Sequence, residues 1–365
     1  MMGELIFRNL LHRPLRTIIG VLAIAVEVAL VVLVVGLTSG ILHETAKRVE
    51  GVGADVLVQP SSAGRLMGMT NSPMPAKIKD PLSQLQYVQA VAPVLLQFNS
   101  SGGIELVYGI DKSFDEVSGG FVYLQGHAIE ESDDLLMDEL AAQSKHVKVG
   151  QTFKLFNHDW NVVGIVEHGK GSRIFVPLAT LQSLSGATDK ASLFYVKCTR
   201  PEHTEDVIEE IKGILPNYTL TAIKDYVSMM TTTSVPGLNV FVNAMIALAV
   251  CIGLLVIFLT MYTTVIERTR DIGVLKSLGA NSPFIVCAVL YESASLCVGG
   301  IFAGVGLSYL VRAGFLKAFP TLSILITPEW ILRAGVIAMV GAIFGASYPA
   351  WMASRKDAVE ALTFD

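Results

Sequence analysis

The chain has 365 residues, 52% of them hydrophobic and only 16% charged, with a mean hydropathy of +0.54, which excludes an ordinary soluble globular protein. Its formal net charge of −5 excludes a nucleic-acid binder, which needs a basic face to neutralise phosphates. Of the four cysteines, Cys251, Cys287 and Cys297 lie in apolar runs and Cys198 lies in the polar half, so no disulfide is expected.

Four segments are long enough to cross a hydrocarbon core of ~30 Å, which takes roughly 20 apolar residues. They are about Thr17–Leu37, Leu238–Ile266, Phe284–Val311 and Ile331–Trp351. Arg8, Arg13 and Arg16 precede the first, as in a secretory signal. That segment is too long for a signal core and no small-residue cleavage site follows it, so it is expected to stay as a membrane helix. Basic residues set the orientation. Arg8, Arg13 and Arg16, then Arg268, Arg270 and Lys276, then Arg355 and Lys356 fall on one side, which is expected to be cytoplasmic.

The fold class that follows is a membrane protein with four transmembrane helices per protomer. A large mixed α/β extracytoplasmic domain is inserted between the first and second spans. The expected plan is a cytoplasmic N-terminal segment 1–16, first span 17–39, outer domain 40–236, second span 237–266 and cytoplasmic elbow 267–283. The third span 284–312, outer turn 313–329, fourth span 330–351 and cytoplasmic tail 352–365 complete it. Within the outer domain, Ala54–Gln59, Tyr87–Phe98, Ile104–Ile110 and Leu193–Thr199 read as strands. Thr152–Phe156 and Trp160–Val166 read as a hairpin turning at Asn157–Asp159, Pro201–Leu215 as a helix, and Ser61–Pro81 as a mobile loop.

The stretch Glu267–Ala280 lies between the second and third spans. As a helix it is expected to place Ile272, Leu275 and Leu278 on one face, with Arg268, Asp271 and Lys276 on others. The residues alone fit two readings: a solvated turn whose charges fix topology, or a docking helix for a cytoplasmic partner. Glu27 lies in the first span and Glu292 in the third, where a charge costs at least ~2.5–3.5 kcal/mol on insertion scales. Each is either a polar, proton-sensitive switch between helices or a protonated carboxyl bonded to a neighbouring helix. Gly300 and Gly304 form a small-xxx-small pair suited to close helix packing.

No phosphate loop, H-E-x-x-H or G-x-S-x-G occurs in these residues, so no catalytic residue, metal site or bound cofactor is expected.

Glu267-Arg-Thr-Arg-Asp-Ile-Gly-Val-Leu-Lys-Ser-Leu-Gly-Ala280 resembles the coupling segment of the MacB/FtsX superfamily of ABC permeases, E-R-x-x-E-I-G-x-x-x-A-L-G-A. Asp271 stands for the second Glu and Ser277 for the first Ala. Arg8–Thr17 resembles that family's approach to its first span. Tyr348–Leu362 resembles its C-terminal signature, with Ala358 where Pro is usual. In the outer domain, Val107–Asp111, Leu136–Phe156, Val162–Ile165 and Phe175–Leu178 are similar to the MacB-like periplasmic core. The family's third span often begins with a Glu, as at Glu292, whereas Glu27 departs from the small residue usual there.

The resemblance implies an outer domain of two subdomains, a homo- or heterodimer of permeases and two copies of a separate cytoplasmic ATPase, which would hold ATP and its magnesium. It also implies a bacterial inner-membrane location in contact with lipid. A membrane-fusion adaptor and an outer-membrane duct are further partners found in the family. Glu267, Arg268, Arg270, Asp271, Ile272, Gly273, Leu275, Lys276, Leu278 and Gly279 would form the ATPase-coupling segment. Eight spans in a dimer hold few polar residues for an aqueous path, so force transmission to the outer domains is expected. The cargo would be a lipid, lipoprotein, peptide or hydrophobic compound. The alternative is an FtsX-like transducer that regulates an extracytoplasmic cell-wall hydrolase.

Overall fold

The computed structural model describes residues 14–61, 73–99, 105–230 and 237–355. The basic cluster at Arg8 and Arg13, residues 62–72 of the expected loop, and the end of the C-terminal signature from Lys356 onward lie outside the described residues. The chain divides into two compact units. A helical unit comprises Met1–Ser39, Gly237–Lys317 and Ile324–Asp365, and an α/β unit comprises Gly40–Pro236 and Ala318–Ser323.

In chain order, α1 (Pro14–Glu50) leads to β1 (Val56–Pro60), β2 (Met74–Pro75), α2 (Lys79–Ser83), β3 (Val88–Asn99), β4 (Glu105–Ile110) and α3 (Lys112–Ser118). Then come β5 (Tyr123–Gly126), β6 (Asp134–Asp138), α4 (Glu139–Lys145), β7 (Thr152–Leu155), β8 (His158–Val166), β9 (Ile174–Pro177) and α5 (Leu178–Leu184). The unit closes with β10 (Lys190–Ala191), β11 (Leu193–Cys198), α6 (Thr204–Ile214), β12 (Tyr218–Ala222) and α7 (Ile223–Met229). The remaining helices are α8 (Leu238–Glu267), α9 (Thr269–Ser277), α10 (Ser282–Ala318) and α11 (Pro328–Arg355).

Helices α1, α8, α10 and α11 are long and apolar enough to cross a membrane. In lipid the backbone must satisfy its own hydrogen bonds, which forces these β-branched runs into helix despite their propensity. Helix α1 has 37 residues, ~55 Å at the standard rise, and runs well past the expected end of the first span at residue 39. Its polar last turns carry Glu44, Lys47 and Arg48 into the α/β unit. The turn between the third and fourth spans is shorter than the expected 313–329. Helix α10 persists to Ala318, where Pro320 disfavours helix at the residue before it, and Pro328 opens α11 at a first-turn position that proline suits.

Ten strands of the α/β unit form one sheet, ordered β12-β1-β11-β3-β4-β9-β6-β8-β5 with β7 beside β8. The twelve-residue β3 joins two halves: Val88–Val94 pairs with β11, and Leu95–Asn99 pairs with β4. Period-2 alternation decides where each side chain goes. Val56 and Val58 of β1 pack with Val207 and Ile211 of α6, while Leu57 between them packs with Tyr195, Tyr108 and Phe114 on the other face. The second half buries Trp160, Val162 and Met137 with Leu178 and Leu181 of α5.

Three expectations need correcting. The hairpin turns at Phe156–Asn157, both at positive φ (55° and 57°), as a two-residue turn of type I′ requires, so His158 and Asp159 already belong to β8. The expected loop Ser61–Pro81 holds β2, which pairs with β10, a short 3-10 turn and the start of α2. The expected helix Pro201–Leu215 begins as a 3-10 turn over Pro201–His203 and becomes α-helical at Thr204.

Candidate coupling elbow and intramembrane carboxylates

The elbow is built from turn chemistry that the sequence carries. Helix α8 ends at Arg268, a bend at φ −104° and ψ 16°, and α9 begins at the next residue. Gly279 takes φ +96°, its N–H donating to the Lys276 carbonyl and that of Ala280 to the Leu275 carbonyl, a Schellman stop. Asn281 then caps α10, its Oδ1 accepting from the Phe284 N–H at 3.1 Å. One short helix is thus fixed between two long ones.

Side-chain contacts lock it in place. Arg268 Nη1 donates to Glu292 of α10, 3.1 Å from Oε2 and 3.3 Å from Oε1, with both side chains largely buried. Lys276 Nζ (2.8 Å) and Ser282 Oγ (3.3 Å) both donate to the Ser354 carbonyl, one of the acceptors left open at the end of α11. Beneath them Ile272 packs with Val265, Ile285 and Ala353.

The predicted apolar face divides in two. Ile272 and Gly273 turn inward, whereas Leu275 and Leu278 are exposed, Leu278 by 80%, and Val274 joins them outside. The reason is that a short helix against a bundle buries the residues facing the bundle, here Thr269, Ile272 and Gly273, whichever side is most apolar. Glu267, Arg270, Asp271 and Gly279 are also exposed. Gly273 is therefore a packing residue rather than part of an outward surface.

The two carboxylates have different surroundings. Glu292 bonds the elbow's own arginine, Arg268, the residue at which α8 ends and α9 begins. Glu27 of α1 is buried with its carboxylate directly over Gly253 of α8, in the space where a β-carbon on residue 253 would stand. Gly300 and Gly304 of α10 press on α1: a β-carbon on Gly300 would lie 2.5 Å from Ile24, and one on Gly304 2.7 Å from the Ala25 carbonyl. Sequence reasoning did not find the Arg268–Glu292 pair, the Ser354 carbonyl or Gly253. The glycine was visible in the α8 run, but only the fold puts it opposite Glu27. Among the described residues no group of His, Cys, Asp and Glu could hold a metal ion.

Residues 17–214 match the MacB-like periplasmic core domain and residues 243–358 the FtsX-like permease C-terminal domain. The chain belongs to the MacB/FtsX-like family of ABC transporter permeases, which are membrane proteins with an extracytoplasmic domain. It is similar to the macrolide export ATP-binding/permease protein MacB of a Shewanella species, 25% identical, across 96% of this chain and 58% of that one. The Rhodopirellula baltica protein of the same description is 24% identical, across 97% and 61%. An uncharacterised ABC transporter permease of Methanocaldococcus jannaschii is 23% identical across 98% of this chain and 96% of its own length. The chain thus spans about three-fifths of the length of those two MacB proteins. Among solved structures, the periplasmic region of MacB from Actinobacillus actinomycetemcomitans aligns at a TM-score of 0.40 and 16% identity, covering 50% of this chain and 96% of that one.

Proposed function

We propose that this chain is the force-transmitting membrane subunit of an ATP-driven transporter, with the ATPase on a partner chain. Two copies of that ATPase would bind beneath a dimer of permeases, the elbow and both termini facing the cytoplasm. Their closure on ATP would push on α9 and, through it, on α8 and α10. The α/β units outside would then move and do work on a lipid, lipoprotein, peptide or hydrophobic compound. Export through an adaptor and a duct is one form that work would take.

The observation that carries this reading is the two-sided elbow. Its inner side is tied to α10 and α11 by Arg268–Glu292 and Lys276–Ser354, and its outer side presents Val274, Leu275 and Leu278 with nothing over them among the described residues. Exposed apolar residues on a braced helix suit a helix-in-groove contact. An isolated turn that only carried topology charges would need no such bracing.

The test is reconstitution with the nucleotide-binding subunit in lipid nanodiscs. Leu275→Asp with Leu278→Glu is expected to lower ATPase stimulation at least about fivefold while leaving stability nearly unchanged, because exposed substitutions usually cost little. Unchanged stimulation overturns the docking role.

A second reading, which membership of the same family leaves open, is an FtsX-like transducer that activates an extracytoplasmic cell-wall hydrolase. The same assembly then shows ATP-dependent hydrolase binding and no movement of lipid-like cargo.

A further inference from the structure

The α/β unit contains a cavity of about 590 Å³, and every residue lining it belongs to that unit. Small-molecule sites fall in a range of roughly 300–1,000 Å³. Leu57, Leu106, Leu193 and Phe319 contribute apolar wall. Tyr108 and Tyr195 line it too, their hydroxyls 3.3 Å apart, and burial pushes both phenols up, so they stay neutral.

Three cations border the cavity, and two have close partners. Arg173 donates to Asp138 (3.0 Å), Glu44 (3.3 Å) and the Thr321 carbonyl (3.2 Å). Lys145 stands 2.5 Å from Glu105, whose second carboxylate oxygen is buried without a hydrogen bond. Arg48, in the last turn of α1, is different. Among the described residues its guanidinium makes no close hydrogen bond or ion pair and its Nε is shielded without a partner; burial and the charge of Arg173 disfavour its cation, while Glu44 and Asp138 offset this only from a distance. The acids that would neutralise it, Glu44 and Asp138, are engaged by Arg173.

A guanidinium that lines a cavity without a hydrogen-bonded acceptor is costly, and an anion entering the cavity supplies one. Guanidinium is suited to carboxylate and phosphate because its N–H fork matches their paired oxygens. A neutral hydrophobe would leave the Arg48 donor unmade, and a bare inorganic anion would leave the apolar walls unfilled. We propose that this cavity binds an amphiphile with one anionic head, a carboxylate or a phosphate, seated on Arg48 with its apolar body against Leu57, Leu106 and Leu193. The binding needs neither ATP nor a partner chain, so it stands or falls separately from the coupling role.

Native mass spectrometry of the full chain in dodecyl maltoside, titrated with oleate, oleoyl lysophosphatidate, methyl oleate or inorganic phosphate, tests it. Oleate and lysophosphatidate are expected to bind, and their relative affinity distinguishes a carboxylate head from a phosphate head. Arg48→Gln should weaken the preferred ligand at least about tenfold, and Arg48→Lys should restore it to within about threefold, since lysine keeps the charge without the fork. Methyl oleate should bind wild type and Arg48→Gln alike, and phosphate alone should displace nothing. Equal binding of both acids by wild type and Arg48→Gln overturns the proposal, as does displacement by phosphate. Should Arg48→Gln fail to fold, Thr45→Trp fills the cavity from a half-buried lining position without changing charge, and undiminished binding there overturns it too.

Discussion

Arg268 and Glu292 stand 24 positions apart and meet where one helix ends and another has run about three turns. Such a largely buried pair adds modest net stability, but removing one member strands the other at a cost of about 3–5 kcal/mol. Arg268→Gln and Glu292→Gln are each expected to lower the melting temperature of the detergent-solubilised protein by several degrees. The reversed pair, Arg268→Glu with Glu292→Arg, should recover most of that loss, and additive losses in the double variant would show that the two side chains do not interact. Glu27 and Gly253 permit a sharper steric test. Gly253→Ala places a methyl where the Glu27 carboxylate lies, an overpacking worth about 1–3 kcal/mol, and adding Glu27→Ala should relieve it. A double variant no more stable than Gly253→Ala alone contradicts that geometry. At Cys198, burial first and then the Asp55 carboxylate push the thiol up to about 11, so only about a thousandth is thiolate at pH 8. Maleimide labelling of Cys198 in the folded protein should therefore be very slow at pH 8 and quicken as pH rises toward 11. Rapid labelling at pH 8 would contradict the packing around β11.

At the scale of elements, the elbow depends on where its helix stops. Gly279 sits at φ +96°, a conformation in which a side chain is strained, so Gly279→Val should cost about 1–3 kcal/mol and loosen the joint between α9 and α10. Faster hydrogen exchange confined to α9 and the first turn of α10 would reveal it, and unchanged exchange would show that the Schellman stop is dispensable. Most of these joints were legible beforehand. Gly279, within the expected coupling segment, is a local signal, as are the long apolar runs and the strand expected over Tyr87–Phe98 and found at Val88–Asn99. Two kinds of information were not. The hairpin turn was misplaced by a residue or more, because Phe156, rarely found at positive φ, takes a turn position that Asp159 suits better by composition. The inward face of α9 was misassigned because Ile272, Leu275 and Leu278 are all apolar. Only the positions of α10 and α11 decide that Ile272 is covered and the two leucines are not. Strand β12 went unread since Tyr218–Ala222 is only five residues long, and it acquires its role from pairing with β1.

For the molecule as a whole, the span count and the outer domain could be read from hydropathy, and the family from the motifs at Arg8–Thr17, Glu267–Ala280 and Tyr348–Leu362. The Arg48 cavity could not, because its lining comes from α1, the sheet and residues 319–323, which the sequence keeps far apart. The central claim is that a short braced helix between the second and third spans faces the cytosol and receives force there. Leu278→Cys, 80% exposed, should react with a membrane-impermeant maleimide in inverted membrane vesicles and not in intact cells, with Tyr123→Cys in the α/β unit giving the reverse pattern. Labelling of Leu278→Cys from outside intact cells would contradict the account.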